Sequence, residues 1–235
     1  MIVLGIDTAT PQTSVALGTE RGTLAQMALT AGPRSHEEIV APAIEHLLRW
    51  SDTPLSHIGG IAVGVGPGLF TGLRVGVQTA RTLAQFLTVP IVATPSLDVL
   101  AFPLRDARRS IGAVIDARRG EVFFGLYRST PGGITRVGEP MVCSPDALVA
   151  ELQSRREEVV LVGDGALRYR QQLATLGGQV EFASASLAHP QASSLVELSI
   201  PRLEREEFDR VVDVLPLYLR KSDAEINWDK RARAG

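Results

Sequence analysis

An aspartate and two threonines near the start of the chain are placed where they could bind a polar ligand. Asp7 ends an apolar run over residues 2–6, and Thr8 and Thr10 follow it. A carboxylate beside hydroxyl groups can form hydrogen bonds with a polar ligand. The alternative is that Asp7 only accepts hydrogen bonds from its own turn, as turn aspartates commonly do.

A glycine-rich segment, Gly64 to Arg74, lies between a predicted strand and a predicted helix. Glycines at this place can let backbone N–H groups approach an anion, and the helix N-terminus adds a positive dipole. The segment is not a P-loop, because the spacing G-x-x-x-x-G-K-[ST] fails and no lysine follows. The alternative is a tight turn whose glycines let the helix lie close to the sheet.

Other catalytic patterns are incomplete in this sequence. His36 opens a near match to H-E-x-x-H, but Val40 stands where the second metal ligand must be. No G-x-S-x-G segment occurs, and Cys143 lies in an apolar stretch that is typical of a small core residue. We therefore expect no catalytic residue and no metal site.

Composition and charge narrow the class of protein. The chain has 235 residues, of which 45% are hydrophobic and 21% charged, which is typical of a folded globular protein. Lysine and arginine total 24 against 26 acids, so the overall charge gives no case for nucleic-acid binding. One cysteine, no apolar run long enough to span a bilayer and no secretory signal predict a cytoplasmic protein without membrane contact.

A local basic patch is still present near the middle of the chain. It consists of Arg105, Arg108, Arg109, Arg118 and Arg119. Such a run is usually a solvated surface, but it is the best candidate here for a contact with RNA phosphates.

The two halves of the chain repeat one order of elements, β-β-β-α-β-α. In each half the first strand ends in Ile-Asp, at Asp7 and Asp116, and the fourth strand runs into a Gly-x-Gly turn, the second containing Asp164. We predict strands at 2–6, 14–17, 23–29, 61–65, 89–93, 111–116, 121–128, 137–142 and 159–162, helices at 35–50, 72–87, 145–155 and 166–176, and closing segments around 180–182 and 192–210.

This order resembles a duplicated ribonuclease-H-like unit, as found in the actin-like ATPase and sugar-kinase superfamily. The resemblance implies an α/β fold with two lobes and a cleft, and it makes Asp7 and Thr8 candidates for nucleotide binding. In the second half, however, Asp116 is followed by Arg118 and Arg119, which put bulk and charge where a phosphate would approach. We therefore expect a degenerate nucleotide site.

Six segments are similar to the TsaB (YeaZ) family of bacterial tRNA threonylcarbamoyladenosine biosynthesis proteins, and together they span nearly the whole chain. Within them Leu69 departs from the family, which usually has serine there. The segments are Ile6-Asp7-Thr8 with Ser14 to Leu17, Ser35-His36-Glu37, Gly66 to Arg74, Asp116 to Val122, Gly163-Asp164-Gly165 and Pro216 to Arg220.

The resemblance implies a non-catalytic partner of TsaD, a paralogue that transfers threonylcarbamoyl to tRNA next to the anticodon. It also implies the ATPase TsaE as a partner, and the adenylate-forming TsaC as a further requirement of the reaction. No cofactor of its own is expected, although ATP or ADP could bind at the interface with TsaD. Contact with tRNA is expected to be indirect or weak. The alternative is an autonomous ATP-dependent kinase or acyltransferase that uses Asp7, Asp116 and Asp164.

Small residues recur every four positions along the predicted helix 72–87, at Gly72, Gly76 and Ala80. The resemblance implies that this helix and helix 35–50 meet counterpart helices of TsaD. We therefore predict a partner interface at these three residues with His36 and Ile39, a surface that would also suit a homodimer. The alternative is that the small face packs only on this chain's own first helix, at 35–50.

For domains, we expect an N-terminal lobe at 1–103 and a degenerate C-terminal lobe at 104–203. The C-terminal segment 204–220 is expected to rejoin the first lobe, and 221–235 is expected to be a flexible tail.

Overall fold

The computed structural model describes residues 1–30 and 35–220, which form two α/β lobes. The predicted tail at 221–235 lies outside the described residues. The first lobe contains a five-stranded sheet in the order β3-β2-β1-β4-β5, with the first three strands antiparallel and the last three parallel. Its elements are β1 Ile2–Asp7, β2 Gln12–Thr19, β3 Gly22–Thr30, α1 His36–Trp50, β4 Ile58–Gly64, α2 Phe70–Leu87 and β5 Ile91–Thr94.

The second lobe contains a six-stranded sheet in the order β11-β10-β6-β7-β8, with β9 paired to the same edge of β7 as β8, further along that strand. Helix α3 leads from the first lobe into it. The elements are α3 Ser96–Ala101, β6 Ser110–Arg118, β7 Glu121–Thr130, β8 Gly133–Arg136, β9 Met141–Cys143, α4 Pro145–Arg155, β10 Val159–Val162, α5 Asp164–Arg168, α6 Arg170–Leu173, β11 Val180–Phe182 and α7 Ala192–Glu204.

Two predicted elements of the second lobe are broken in the structure. The strand predicted at 137–142 is replaced by β8 and β9, because Gly138 adopts a positive φ of 78° between them. The helix predicted at 166–176 is interrupted at Tyr169, whose φ and ψ of −104° and 24° leave the helical range. A 3-10 turn, Ala174–Gln179, then replaces its last part.

Helix α7 packs on the first lobe, although the division expected at residue 203 placed it in the second. It covers the face of the first sheet opposite α1 and α2, where Leu195, Val196 and Ile200 join a core with Val3 and other strand residues. The helix lies close because the facing strand positions are small. A Cβ at Gly5 would lie 2.8 Å from the Ala192 carbonyl oxygen and from the Val196 side chain.

The chain after α7, residues 207–220, forms a C-terminal strap along the first lobe. Asp209 donates its N–H to the Ile91 carbonyl oxygen at 2.9 Å, and its carboxylate accepts the Ala93 N–H at 2.8 Å. The strap then reaches the glycine-rich turn, where the Leu217 N–H donates to the Val65 carbonyl oxygen at 2.7 Å. Up to Leu217, the contacts of the strap named here are with the first lobe.

Among the described residues, no helix is long and apolar enough to cross a membrane.

Candidate functional site

The first hairpin turn, between β1 and β2, holds Asp7 as a buried group that is only 1% exposed. Its Oδ1 accepts the Ala9 N–H and its Oδ2 accepts the Ser96 hydroxyl, both at 2.9 Å. Burial raises the pKa of Asp7 to about 6, against the lowering effect of these two hydrogen bonds. The Asp7 carboxylate therefore accepts hydrogen bonds from groups inside this chain. This is closer to the alternative interpretation of the sequence, in which Asp7 only accepts hydrogen bonds, than to ligand binding.

The glycine-rich turn and the start of α2 are packed directly on this first turn. Thr8 donates its hydroxyl to the Gly72 carbonyl oxygen at 2.6 Å, and the Leu69 N–H donates to the Ala9 carbonyl oxygen at 2.7 Å. A Cβ added at Gly68 would overlap the Ala9 carbonyl oxygen. The glycines thus allow the glycine-rich turn to pack closely on the first turn. The backbone of the glycine-rich turn then occupies the space above the first turn.

A nucleotide's phosphates do not fit at this first turn. Thr8 and Thr10 are as buried as Asp7, and residues from the turn after β4 and from α2 stand over them. The Thr10 hydroxyl has no hydrogen-bond partner among the described residues, yet at 1% exposure it does not reach solvent either.

The small face of α2 is internal, which corrects the interface prediction made for it. Gly72, Gly76 and Ala80 are buried, and a Cβ at Gly76 would overlap the Thr8 hydroxyl. His36 and Ile39 are each only 8% exposed. The reason is that α2 uses its small residues to approach β1 and α1 of its own chain.

His36 illustrates that internal role. Its Nδ1 shares a hydrogen bond of 2.7 Å with the Thr13 hydroxyl, and its ring lies beside the backbone of Gly72. Burial lowers the pKa of His36, so the ring is neutral at physiological pH.

The second hairpin turn, between β6 and β7, is open to solvent at its tip. Arg118, Arg119 and Gly120 are exposed and have positive φ values of 64°, 56° and 78°. Behind the tip, Asp116 is 5% exposed, and its Oδ1 accepts the Arg118 N–H at 3.0 Å. The turn therefore presents two arginines in a backbone conformation that glycine or asparagine adopts more easily.

Charged groups surround the Asp116 carboxylate. The guanidinium groups of Arg118 and Arg168 lie 3.5 and 3.6 Å from its Oδ2. The Asp116 N–H donates to Asp164 Oδ1 at 3.0 Å. Burial raises the pKa of Asp164 to about 6, and the charge of Asp116 acts in the same direction.

A small pocket of about 160 Å³ lies between the lobes at this second turn. The first lobe contributes Leu69 and Phe70, the second contributes Arg118 and Arg119, and the strap contributes Tyr218 and Arg220.

The strap joins the two lobes across this pocket. Tyr218 stacks on Phe70 with ring centroids 4.8 Å apart, and the Arg74 guanidinium lies 4.0 Å from the Phe70 centroid. Arg220 forms an ion pair of 2.8 Å with Glu121 of the second lobe. In the sequence, Pro216 to Arg220 stands out only as a family segment, although an aromatic residue and an arginine in a terminal segment could have indicated this bridge.

The three acids of the alternative catalytic hypothesis are only partly brought together. Asp116 and Asp164 are linked by a hydrogen bond, whereas the contacts of Asp7 are with Ala9, Ser96 and Gly64. Within residues 1–30 and 35–220, no group of three or more His, Cys, Asp or Glu side chains could hold a metal ion.

The predicted basic patch is divided in the structure. Arg105 forms an ion pair of 2.9 Å with Glu197, and Arg109 forms one of 3.0 Å with Glu181. The exposed arginines of the second turn are therefore the part of that patch that adjoins a pocket. Cys143, at the end of β9, is half-buried, and burial raises the pKa of its thiol.

The two lobes, each with three antiparallel strands continued by parallel ones, define the fold of the actin-like ATPases and sugar kinases. Residues 30–228 match the family described as TsaD: tRNA N6-adenosine threonylcarbamoyltransferase. Over nearly its whole length the chain is also similar to proteins that carry the name TsaB.

The tRNA threonylcarbamoyladenosine biosynthesis protein TsaB of Bacillus subtilis strain 168 is 32% identical over 232 residues, which is 97% of this chain and 98% of that protein. TsaB of Escherichia coli K12 is 30% identical over 233 residues, or 98% of each chain. The structure of YeaZ from Pseudomonas aeruginosa aligns with a TM-score of 0.79 and 29% identity, covering 93% of this chain and 99% of that one. The chain belongs to the TsaB family, as the sequence motifs predicted.

Proposed function

We propose that this chain acts in the synthesis of threonylcarbamoyladenosine in tRNA as a non-catalytic subunit. In this proposal it binds and activates TsaD, which transfers the threonylcarbamoyl group, and the ATPase TsaE joins the pair. The names of its full-length relatives support the pathway. The family resemblance supports the choice of partners.

The closed first turn is the observation that most supports a non-catalytic role. In this fold the turn after β1 is where an ATPase would hold phosphate. Here the Thr8 hydroxyl and the Ala9 carbonyl oxygen are instead bonded to Gly72 and Leu69. ATP or ADP would therefore bind outside this turn, and we place that contact at the interface with TsaD.

The outward face of α1 and α2 is the surface that we assign to TsaD. The two helices lie side by side over the first sheet, and most of their small and apolar residues are turned inward, whereas Trp50 and Phe86 are exposed. The residues left for a partner are the exposed ones. They include Ala41, Glu45, Arg49 and Trp50 on α1, and Arg74, Gln78, Thr82, Gln85 and Phe86 on α2.

Reconstitution of the modification reaction tests the role in the pathway. Purified TsaC, TsaD and TsaE from the same organism should modify a tRNA transcript only when this chain is added, as measured by mass spectrometry of the nucleosides. Equal modification without the chain would refute the proposal.

Co-purification tests the assigned surface. Ala41→Arg combined with Gln78→Arg should abolish capture of TsaD, because both arginines would stand on the outward face. The matched control is Ala150→Arg with Gln153→Arg, on the exposed face of α4 in the second lobe. Loss of capture in the control, or retention in the first pair, would move the interface elsewhere.

The alternative, an autonomous ATP-dependent enzyme using Asp7, Asp116 and Asp164, makes a different prediction. It requires the isolated chain to bind ATP with magnesium, and it requires that binding to fail in Asp7→Asn. Calorimetry of the isolated chain separates the two hypotheses, and an Asp7-dependent ATPase rate would overturn the proposed role.

A further inference from the structure

We propose that the free edge of strand β3 binds a second copy of this chain, so that the first sheets of the two copies join into one continuous sheet. The two β3 strands, each Gly22–Thr30, pair antiparallel about a two-fold axis perpendicular to the sheet. This edge is a different surface from the outward face of α1 and α2, and the inference does not depend on the proposed function.

The other outer strands of the two sheets are protected against pairing. The edge at β5 is covered by the C-terminal strap, whose Asp209 donates its N–H to the Ile91 carbonyl oxygen at 2.9 Å. In the second sheet, β8 has four residues and carries Arg136, and β11 has three residues and carries Glu181. Covering chain, short strands and charged side chains are the means by which proteins keep sheet edges from pairing with other chains.

Strand β3 has none of these protections. Its nine residues include no proline and no charged side chain. Within residues 1–30 and 35–220 it pairs with β2 and with no other strand. Leu24 and Leu29 are 51% and 41% exposed. Because a free strand edge presents a row of N–H and C=O groups, this strand is a template for a further one.

The side chains of β3 favour a second copy as the occupant of this edge. Ala25, Met27 and Leu29 alternate along the strand and lie on the face that α1 covers. A two-fold axis perpendicular to the sheet keeps each face continuous if facing residues are an even number of positions apart. Centred at Met27, the axis places Met27 opposite Met27 of the second copy and Ala25 opposite its Leu29. The apolar face is thus complementary to itself, with a small residue opposite a larger one on each side of the axis.

The opposite face of β3 accepts the same register. The axis places Leu24 opposite Thr30 of the second copy and Gln26 opposite its Ala28. All four residues are exposed and uncharged, so pairing brings no charge to an unpaired position on this face.

A groove beside β3 extends the apolar surface onto α1. Its volume is about 210 Å³, and it lies between the strand and the helix. Because neighbouring strands are about 4.8 Å apart, the α1-facing side chains of the second copy come to lie beside this groove. The groove is lined by Met27, Leu29, Glu38, Ile39, Pro42, Ala43 and His46.

Cysteine crosslinking tests the pairing and its register. In a Cys143→Ser background, Met27→Cys should give a disulfide-linked dimer on mild oxidation. Facing residues of an antiparallel pair have Cα atoms about 4.5–5.5 Å apart, which is within the range of a disulfide. The matched control is Thr23→Cys on the same strand, whose counterpart in the second copy would lie about 27 Å away. Equal crosslinking of the two variants, or none at position 27, would overturn the proposal.

Sedimentation equilibrium of the full chain measures the association without a crosslink. The wild type should show a monomer–dimer equilibrium with a Kd in about the micromolar range. Met27→Lys should weaken it about a hundredfold, because two like charges would face each other across the axis. The matched control, Met141→Lys, changes a half-buried methionine on β9 and should leave the Kd unchanged.

A mixture of two variants separates loss of pairing from loss of folding. Equal amounts of Met27→Lys and Met27→Glu should form a mixed dimer, because opposite charges then face each other. The proposal is overturned if the mixture stays monomeric, if the wild type is monomeric at about 100 µM, or if Met27→Lys associates like the wild type. It is also overturned if the chain alone is monomeric and Met27→Lys abolishes capture of TsaD, since TsaD would then be the occupant of the edge.

Discussion

The hairpin turns that follow the first strand of each lobe share one aspartate hydrogen bond but have opposite surroundings. Each begins at an Ile-Asp pair, and in each the carboxylate accepts the N–H of the residue two positions later, at 2.9 Å in the first turn and 3.0 Å in the second. The first turn, at Asp7, is covered by the glycine-rich turn and α2. The second, at Asp116, ends in exposed arginines.

The difference arises from the helix that follows the strand paired in parallel with the first strand of each lobe, which is β4 in the first lobe and β10 in the second. In the first lobe this is the 18-residue helix α2, and its small residues let it lie on the turn. In the second lobe it is the five-residue helix α5, with Gly163 and Gly165 packed against β6. The turn at Asp7 is thus packed against α2, whereas the turn at Asp116 is an exposed basic surface.

The largest expected effect is the loss of stability when a larger side chain is introduced where α2 packs on the first turn. Gly76→Leu should lower the free energy of unfolding by about 3 kcal/mol or more, because the new side chain would overlap the Thr8 hydroxyl. Chemical denaturation measures it, with the exposed neighbour Gln78→Leu as the control, expected to stay within about 0.5 kcal/mol. A Gly76 variant as stable as the control would mean that α2 does not pack closely on the first turn.

Replacing each aspartate by asparagine should have opposite effects at the two turns. At pH 7 Asp7→Asn should leave stability unchanged or raise it, because the ionised Asp7 is buried and forms no ion pair within residues 1–30 and 35–220. Asp116→Asn should lower stability by about 1 kcal/mol, because it removes a charge that lies beside Arg118 and Arg168. Thermal melts of both variants measure the contrast, and equal effects would mean that the two turns are electrostatically alike.

The contribution of Asp7 to the free energy of unfolding should depend on pH, and the direction of this dependence follows from its pKa. Its pKa is raised from 3.8 to about 6 on folding, so the folded chain binds more protons than the unfolded chain between these values. The contribution of Asp7 to stability is therefore lost as pH rises from about 4 to 6. Relative to Asp7→Asn, the wild type should lose about 2 kcal/mol between pH 4 and pH 7. A difference that does not change with pH would contradict the burial of this charge.

The smallest expected effect concerns the strained backbone of the second turn. Arg119→Asn should raise the free energy of unfolding by about 0.5 kcal/mol, since asparagine tolerates a φ of 56° better than arginine. The melting temperature measures it, with Arg128→Asn on the neighbouring strand as the control. A lower melting temperature would indicate that the Arg119 side chain contributes more to folding than its backbone costs.

The order of elements and the lobes could be predicted from the sequence because they depend on local patterns. The Ile-Asp pairs and the periodic apolar residues indicate strands and helices independently of the tertiary structure. The partner of the small stripe on α2 could not be predicted, since residues at every fourth position fit a neighbouring strand as well as another protein. Gly76 had in fact to be small because of Thr8.

The position of α7 was missed for a related reason. Contacts between residues 192–204 and the first sheet join distant parts of the chain, and no local pattern records them. The small residues Gly5 and Gly18, which face α7, were the available signal. The break at Gly138 was easier to foresee, because glycine and Pro140 both disfavour a continuous strand.

The location of α7 also has a consequence for synthesis of the chain on the ribosome. The first sheet is complete in sequence at Thr94, but the helix that covers its second face begins only at Ala192. Until then the apolar residues of that face, among them Val3 and Val92, have no helix to cover them. The second sheet, whose strands lie wholly between these points, can assemble first, because its contacts close shorter loops. The lobe that is synthesised first is therefore the lobe that finishes folding last.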